Sequence, residues 1–178
     1  YLSVPGTSLL QPRTVATLDP TTGLRGAARP LDGEPGALSL SGDGRYLYVV
    51  LGAGDTVTRL SLPSLAPDLT IPLPTTASGA AYHATSVAAA PGDGRIVAVA
   101  MQAAGAGSMT VLFDDAVARP SSGAGDAAVR WAPGGDALYG FDGATYPSRL
   151  GMKRYPVSSE GLGAPTAFPG LFADVRTP

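Results

Sequence analysis

The chain has no cysteine, one histidine (His83), one lysine (Lys153), two glutamates and one tryptophan (Trp131) in 178 residues. Without cysteine there is no disulfide framework, no thiolate zinc site, no thiol nucleophile and no thiol redox switch. A single histidine rules out any site that needs two imidazoles from one chain. Twelve Lys and Arg against fourteen Asp and Glu leave a formal net charge of -2. That is the wrong sign for a surface that must neutralise phosphates, so no nucleic-acid partner is expected. No apolar run approaches the roughly 20 residues that span a bilayer, so no membrane span is expected. The first residue is Tyr1 and no basic stretch with a long apolar core follows it, which reads as a chain processed or excised from something longer.

What the chain has in excess is turn formers. There are 24 Gly and 17 Pro, close to the level at which low-complexity disorder becomes the default reading. Against disorder stand 44% hydrophobic residues, a near-neutral charge and short clusters of β-branched residues. A globular chain with very frequent turns satisfies both observations.

The turns recur. Ala37 to Ser41 leads through Gly42-Asp43-Gly44-Arg45 into the apolar run Tyr46 to Leu51. Ser86 to Ala90 leads through Pro91-Gly92-Asp93-Gly94-Arg95 into Ile96 to Met101, and Ala128 to Ala132 leads through Pro133-Gly134-Gly135-Asp136 into Ala137 to Phe141. From Ser41 to Pro91 is 50 positions and from Pro91 to Pro133 is 42. A period of this length belongs to propeller blades, and a Gly/Asp turn between two β-branched runs is a hairpin signal. Each copy continues with a third and a fourth strand: Thr56 to Leu62 and Leu69 to Leu73, then Met109 to Phe113 and Ala116 to Arg119, then Leu150 to Val157 and Ala164 to Phe168. Four antiparallel strands make one blade.

The expected architecture is all-β: a β-propeller of about four blades' worth of four-stranded antiparallel sheets, as a segment of a larger propeller. The chain reads as one domain, 1–178, with units at about 1–36 (partial), 37–84, 85–125, 126–170 and 171–178. In the first unit, Leu2 to Val4, Thr14 to Leu18 and Leu24 to Leu31 read as the second to fourth strands of a blade that lacks its first. Leu171 to Val175 reads as a lone first strand of the next or closing blade.

At three stretches the chain resembles a known family. Leu38-Ser-Leu-Ser-Gly-Asp-Gly-Arg-Tyr-Leu-Tyr-Val50, Asp55-Thr-Val-Thr-Arg-Leu-Ser-Leu62 and Leu112-Phe-Asp-Asp-Ala-Val-Ala-Arg-Pro120 are similar to bacterial YVTN or lactonase-like β-propeller repeats of secreted and surface-associated proteins. The third copy departs from that pattern, with Gly-Gly-Asp for Gly-Asp-Gly and Tyr-Gly-Phe for the Tyr-Val run. The resemblance implies a propeller of six to eight blades, of which this chain would be a part. It also implies an extracellular or cell-envelope location. The enzymatic relatives open lactone rings with polar groups in the central region, and no residue here matches such a group one for one.

Candidate chemistry is sparse. His83 and Tyr82 lie in the connection that precedes an inner strand, where propeller loops reach a ring face and ligands bind. Trp131 beside Arg130 forms an aromatic and cationic pair suited to stacking a ligand, or to packing blade on blade. Asp43, Asp93 and Asp136 sit in the three repeat turns and would hold Ca²⁺ only if their lone carboxylates converged; otherwise they are turn chemistry. Asp114 and Asp115 read as the exit turn of a third strand, because neighbours on a strand point to opposite faces. Arg149, Lys153 and Arg154 form a basic cluster that reads as a solvated strand edge. The loops at Gly52 to Gly54 and Gly105 to Gly107 precede no helix and lack the Gly-Lys-Ser/Thr element, so nucleotide binding is rejected.

The expected function is a non-catalytic scaffold or a protein- or glycan-binding module of a larger secreted or envelope protein, with no cofactor and with further blades or domains of the same parent chain. The alternative is a lactonase-like hydrolase acting on a small substrate at the central channel. The scarcity of His, Lys and Glu weighs against catalysis.

Overall fold

A computed structural model of the chain describes residues 1–52, 54–105, 107–124, 126–141 and 151–168. All regular structure among them is strand, and no helix there is long and apolar enough to cross a membrane. The cause is local: Val, Ile, Leu and Tyr crowd both sides of short turns, and no stretch holds a 3.6-residue period.

The first sheet contains β1 (Leu2–Val4), β2 (Thr14–Leu18) and β3 (Arg25–Pro30) in that order. The second runs β4 (Pro35–Leu40), β5 (Tyr46–Leu51), β6 (Thr56–Ser61) and β7 (Ala66–Pro72). In the third, β8 (His83–Ala89), β9 (Ile96–Ala103) and β10 (Gly107–Asp114) are followed by β11 (Val117–Ala118) and β12 (Gly123–Ala124), both paired to β10. The fourth repeats this plan with β13 (Ala128–Trp131), β14 (Ala137–Phe141) and β15 (Met152–Ser158), and with β16 (Gly161–Leu162) and β17 (Thr166–Phe168) both paired to β15. All these pairings are antiparallel.

The last two sheets differ from the single fourth strands expected at Ala116 to Arg119 and Ala164 to Phe168. In each, the outer position is split into two short pieces, and Pro120 and Pro165 stand between the pieces. Proline has no N–H to donate to a ladder, so the edge strand breaks there. The strand expected at Leu171 to Val175 and the loop through Pro147 lie outside the described residues.

The sheets curl into a half-barrel, with β4 beside β8 and β8 beside β13 on the inner side. Apolar side chains fill each seam. Tyr48, Val50, Val57 and Ile71 of the second sheet meet Val97, Val99, Met101 and Phe113 of the third. On the opposite face of the third sheet, Ala98, Ala100 and Leu112 meet Val129, Leu138 and Tyr155. Strand β9 therefore sends alternate residues to opposite cores, which explains its unbroken apolar run from Ile96 to Met101. Each fully buried Val or Leu contributes roughly 1.5–3 kcal/mol.

Polar side chains tie the seams as well. The buried Tyr48 hydroxyl donates to the Gly94 carbonyl at 2.7 Å, from the second sheet to the third. Arg59 on β6, 6% exposed, bonds Asp68 of its own sheet at 2.5 Å and Asp115 of the third at 2.6 Å, with the Tyr46 ring 4.3 Å below. Burial opposes the Arg59 charge, but its side-chain partners Tyr48, Asp115 and Asp68 outweigh it and hold the guanidinium more firmly protonated than usual. Between the third and fourth sheets, Arg119 grips both oxygens of Asp114 at 2.8 Å and donates to the Ser158 carbonyl at 2.6 Å. The repeat turns also touch in sequence: Gly42 lies against the Pro91 carbonyl, and the Pro91 ring lies against Gly135.

Candidate functional site

The inner strands form the floor of a groove of about 380 Å³, with Leu38, Leu40, Ala88, Arg130 and Trp131 in its lining. Trp131 is half buried, and its indole N–H donates to the Ala88 carbonyl at 2.8 Å across the seam. That bond spends its polar atom on the neighbouring sheet and leaves part of the ring facing the groove. Arg130 is exposed and turns one guanidinium nitrogen to the Val129 carbonyl at 2.7 Å. Two serines serve the edges of the inner strands. Ser39 takes the Ala89 N–H at 2.9 Å, and Ser86 takes the Val129 N–H at 3.3 Å, each from the preceding sheet.

A second place is the foot of β8, where a cleft of about 440 Å³ is lined by His83, Gln102, Ala103, Ala104, Gly107 and Ser108. His83 Nδ1 lies 2.8 Å from Asp55 Oδ1, in the turn between β5 and β6. That turn is pressed onto β8: Ala84 N–H donates to the Gly54 carbonyl at 2.7 Å, and a Cβ at Gly54 would meet the Ala84 backbone. Gly54 has φ +99, so close approach and backbone conformation both require glycine. Tyr82, next in sequence, packs its ring against the core between the second and third sheets and donates its N–H to the Pro74 carbonyl at 3.3 Å.

Of the four expected contact residues, Arg130 and Trp131 line the groove and His83 lines the cleft, whereas Tyr82 lines neither because it packs against the core. His83 stands five residues before Ala88 on one strand, about 16 Å at the usual rise, so the His83 cleft and the Trp131 groove are separate. Sequence reasoning missed Asp55, Gln102 and Ser108 beside His83. The hairpin turn around Gly105 and Gly107 was the available signal, because it places Gln102 opposite Ser108.

Neither a family model nor a curated protein sequence matches the chain. Solved structures do. Hydrazine synthase of Kuenenia stuttgartiensis aligns with a TM-score of 0.67 at 16% identity, over 88% of this chain and 43% of that one. A 6-phosphogluconolactonase-like protein of Bacteroides uniformis aligns at 0.63 and 14% identity, over 84% and 46%. The WD40 repeats of RRP9 align at 0.55 and 14% identity, over 77% and 39%. The fold is a β-propeller. The chain spans less than half the length of each of these structures, and at such identities the likeness is one of fold alone.

The acidic residues of the blade turns are held locally. Asp43 accepts from the Ser41 hydroxyl at 2.6 Å and from the Arg45 N–H at 3.1 Å, and these bonds hold its carboxyl below the usual range. Asp93 takes the Arg95 N–H at 3.0 Å and is lowered in the same way. Asp136 occupies the last turn position, where Arg45 and Arg95 stand in the other blades, and pairs with Arg154 at 3.1 Å. Among the described residues no three His, Asp or Glu side chains come together as a metal site. Asp114 and Asp115 go to different arginines, Arg119 and Arg59. Of the basic cluster, Lys153 lies 3.6 Å from the buried Asp126, which also accepts from the Thr110 hydroxyl at 3.1 Å. Arg149 lies outside the described residues.

Proposed function

We propose that the chain is a non-catalytic segment of a larger β-propeller of the YVTN or lactonase-like kind, located outside the cell or in its envelope. It presents loops to a protein or glycan ligand. The observation that carries this reading is the commitment of charged and aromatic groups to blade-to-blade bonds. Arg59 reaches Asp115, Tyr48 reaches Gly94, Arg119 reaches Ser158, and Trp131 reaches Ala88. Side chains spent in this way stiffen the frame, and a stiff frame holds its surface loops at fixed spacing for recognition. The share of each solved propeller that the chain covers supports the segment reading, and the likeness to WD40 repeats supports a binding role.

The test has two arms. The chain is incubated with small lactones such as δ-gluconolactone and ring opening is followed by pH-stat; the expected rate equals that of buffer. Hydrolysis that His83→Ala removes would overturn the non-catalytic reading. Fractionation of the source cells with an antibody to the chain should find it in the medium or envelope, and a cytosolic pool alone would overturn the location.

A further inference from the structure

We propose that the cleft at the foot of β8 is a subsite for a neutral carbohydrate, with His83, Gln102 and Ser108 as its hydrogen-bonding row. This rests on the reading of the chain as a binding module and names the ligand class for one face of it.

The pairing register places these three residues abreast. Gln102 on β9 is opposite His83 on β8 and opposite Ser108 on β10. Opposed residues of antiparallel strands share a face and stand about 5 Å apart, so the row extends across roughly 10 Å of the sheet. All three line the same cleft, whose other lining among the described residues is Ala103, Ala104 and Gly107. The small side chains keep the floor low, and a flat ring can come within bonding distance of the row.

The row's chemistry selects hydroxyl groups. Asp55 occupies His83 Nδ1, and a neutral imidazole that donates there keeps Nε2 as an acceptor. The Gln102 amide both donates and accepts, and so does the Ser108 hydroxyl. A sequence of acceptor, donor-acceptor and donor-acceptor matches adjacent sugar hydroxyls, which themselves both donate and accept. Among the described residues the lining contains no Lys or Arg, so nothing in them favours a phosphate or a carboxylate over a hydroxyl. Its volume of about 440 Å³ lies within the usual size of small-ligand sites.

The experiment is an amide NMR titration of the chain with methyl α-D-glucopyranoside, methyl β-D-galactopyranoside and methyl N-acetyl-β-D-glucosaminide, each to tens of millimolar. At least one glycoside should shift the amides of His83, Gln102 and Ser108 together. Gln102→Ala, an exposed position whose folding is checked by the dispersion of its own spectrum, should weaken that response at least tenfold. Asp55→Ala should weaken it several-fold by releasing the imidazole. Shifts confined to Arg130 and Trp131 would overturn this site while leaving the binding-module reading standing. The absence of any shift with all three glycosides would overturn the carbohydrate subsite. Lactone hydrolysis lost in His83→Ala would overturn both readings.

Discussion

Arg59 Nη1 and Asp115 Oδ1 stand 2.6 Å apart across the seam between the second and third blades, although 56 residues separate them along the chain. The arginine is 6% exposed, whereas the Asp115 side chain keeps 46% of its surface. The pair is therefore asymmetric: its buried cation depends on Asp115 and Asp68 for counter-charge, whereas its anion also has water.

Replacing Arg59 with Met should cost about 2–3 kcal/mol, less than a fully buried pair, because Asp68 and Asp115 rehydrate when the cation goes. Asp115→Asn should cost no more than about 1 kcal/mol, since Asp68 still faces the guanidinium. Urea melts of the two variants measure both, and equal losses would contradict the asymmetry.

Acid should unfold the chain partly through the blade turns. The Arg119 bond holds the Asp114 carboxyl below its ordinary value, and the Ser41 and Arg45 bonds do the same for Asp43. The unfolded chain then binds protons first, so this stability is present above about pH 4 and is lost as pH falls below it. In Asp114→Asn the fall in stability between about pH 4 and pH 2 should be shallower than in the parent chain. Thermal melts in that interval read the difference.

Alkali acts through Tyr48. Burial pushes its hydroxyl above the ordinary tyrosine value, so the unfolded chain loses this proton first. The contribution is complete below about pH 10 and disappears as pH rises beyond it. Tyr48→Phe should cost about 1 kcal/mol at neutral pH for the bond to Gly94, yet show less additional loss at high pH. An unchanged alkaline slope would assign the transition to another group.

Three turn glycines should respond differently to alanine. At Gly42 a Cβ would overlap the Pro91 carbonyl, so Gly42→Ala should cost about 2–3 kcal/mol. At Gly44 there is open space, but φ is +69, and Gly44→Ala should cost about 1 kcal/mol. Gly92 has neither restriction, and Gly92→Ala should be neutral or stabilising by about 0.5 kcal/mol. The rank order of their denaturant midpoints is the check.

The strands were legible because hairpins are local. Tyr46 to Leu51 was delimited by Gly-Asp-Gly-Arg before it and Gly-Ala-Gly after it, and β5 has those same bounds. That Asp136 is not the counterpart of Asp43 and Asp93 was not legible from the shared Gly/Asp motif. Five residues separate Ala90 from Ile96, but four separate Ser41 from Tyr46 and Ala132 from Ala137, so similar motifs occupy different turn positions. Asp55 was invisible as a partner of His83 because their contact joins two blades, and residue types alone carry no register between sheets. The Gln102 and Ser108 pair was within reach, since a single hairpin sets it.

Ser39 and Ser86 give the blades a direction. Each lends its hydroxyl to an edge amide of the following blade, Ala89 and Val129 respectively. A cut made between the second and third blades, or between the third and fourth, would strip the downstream piece of a cap that its own sequence does not encode. Recombination that moves one blade into another protein would carry its serine forward but leave its own amide to the host. The smallest unit that exchanges intact is therefore a blade together with the one before it.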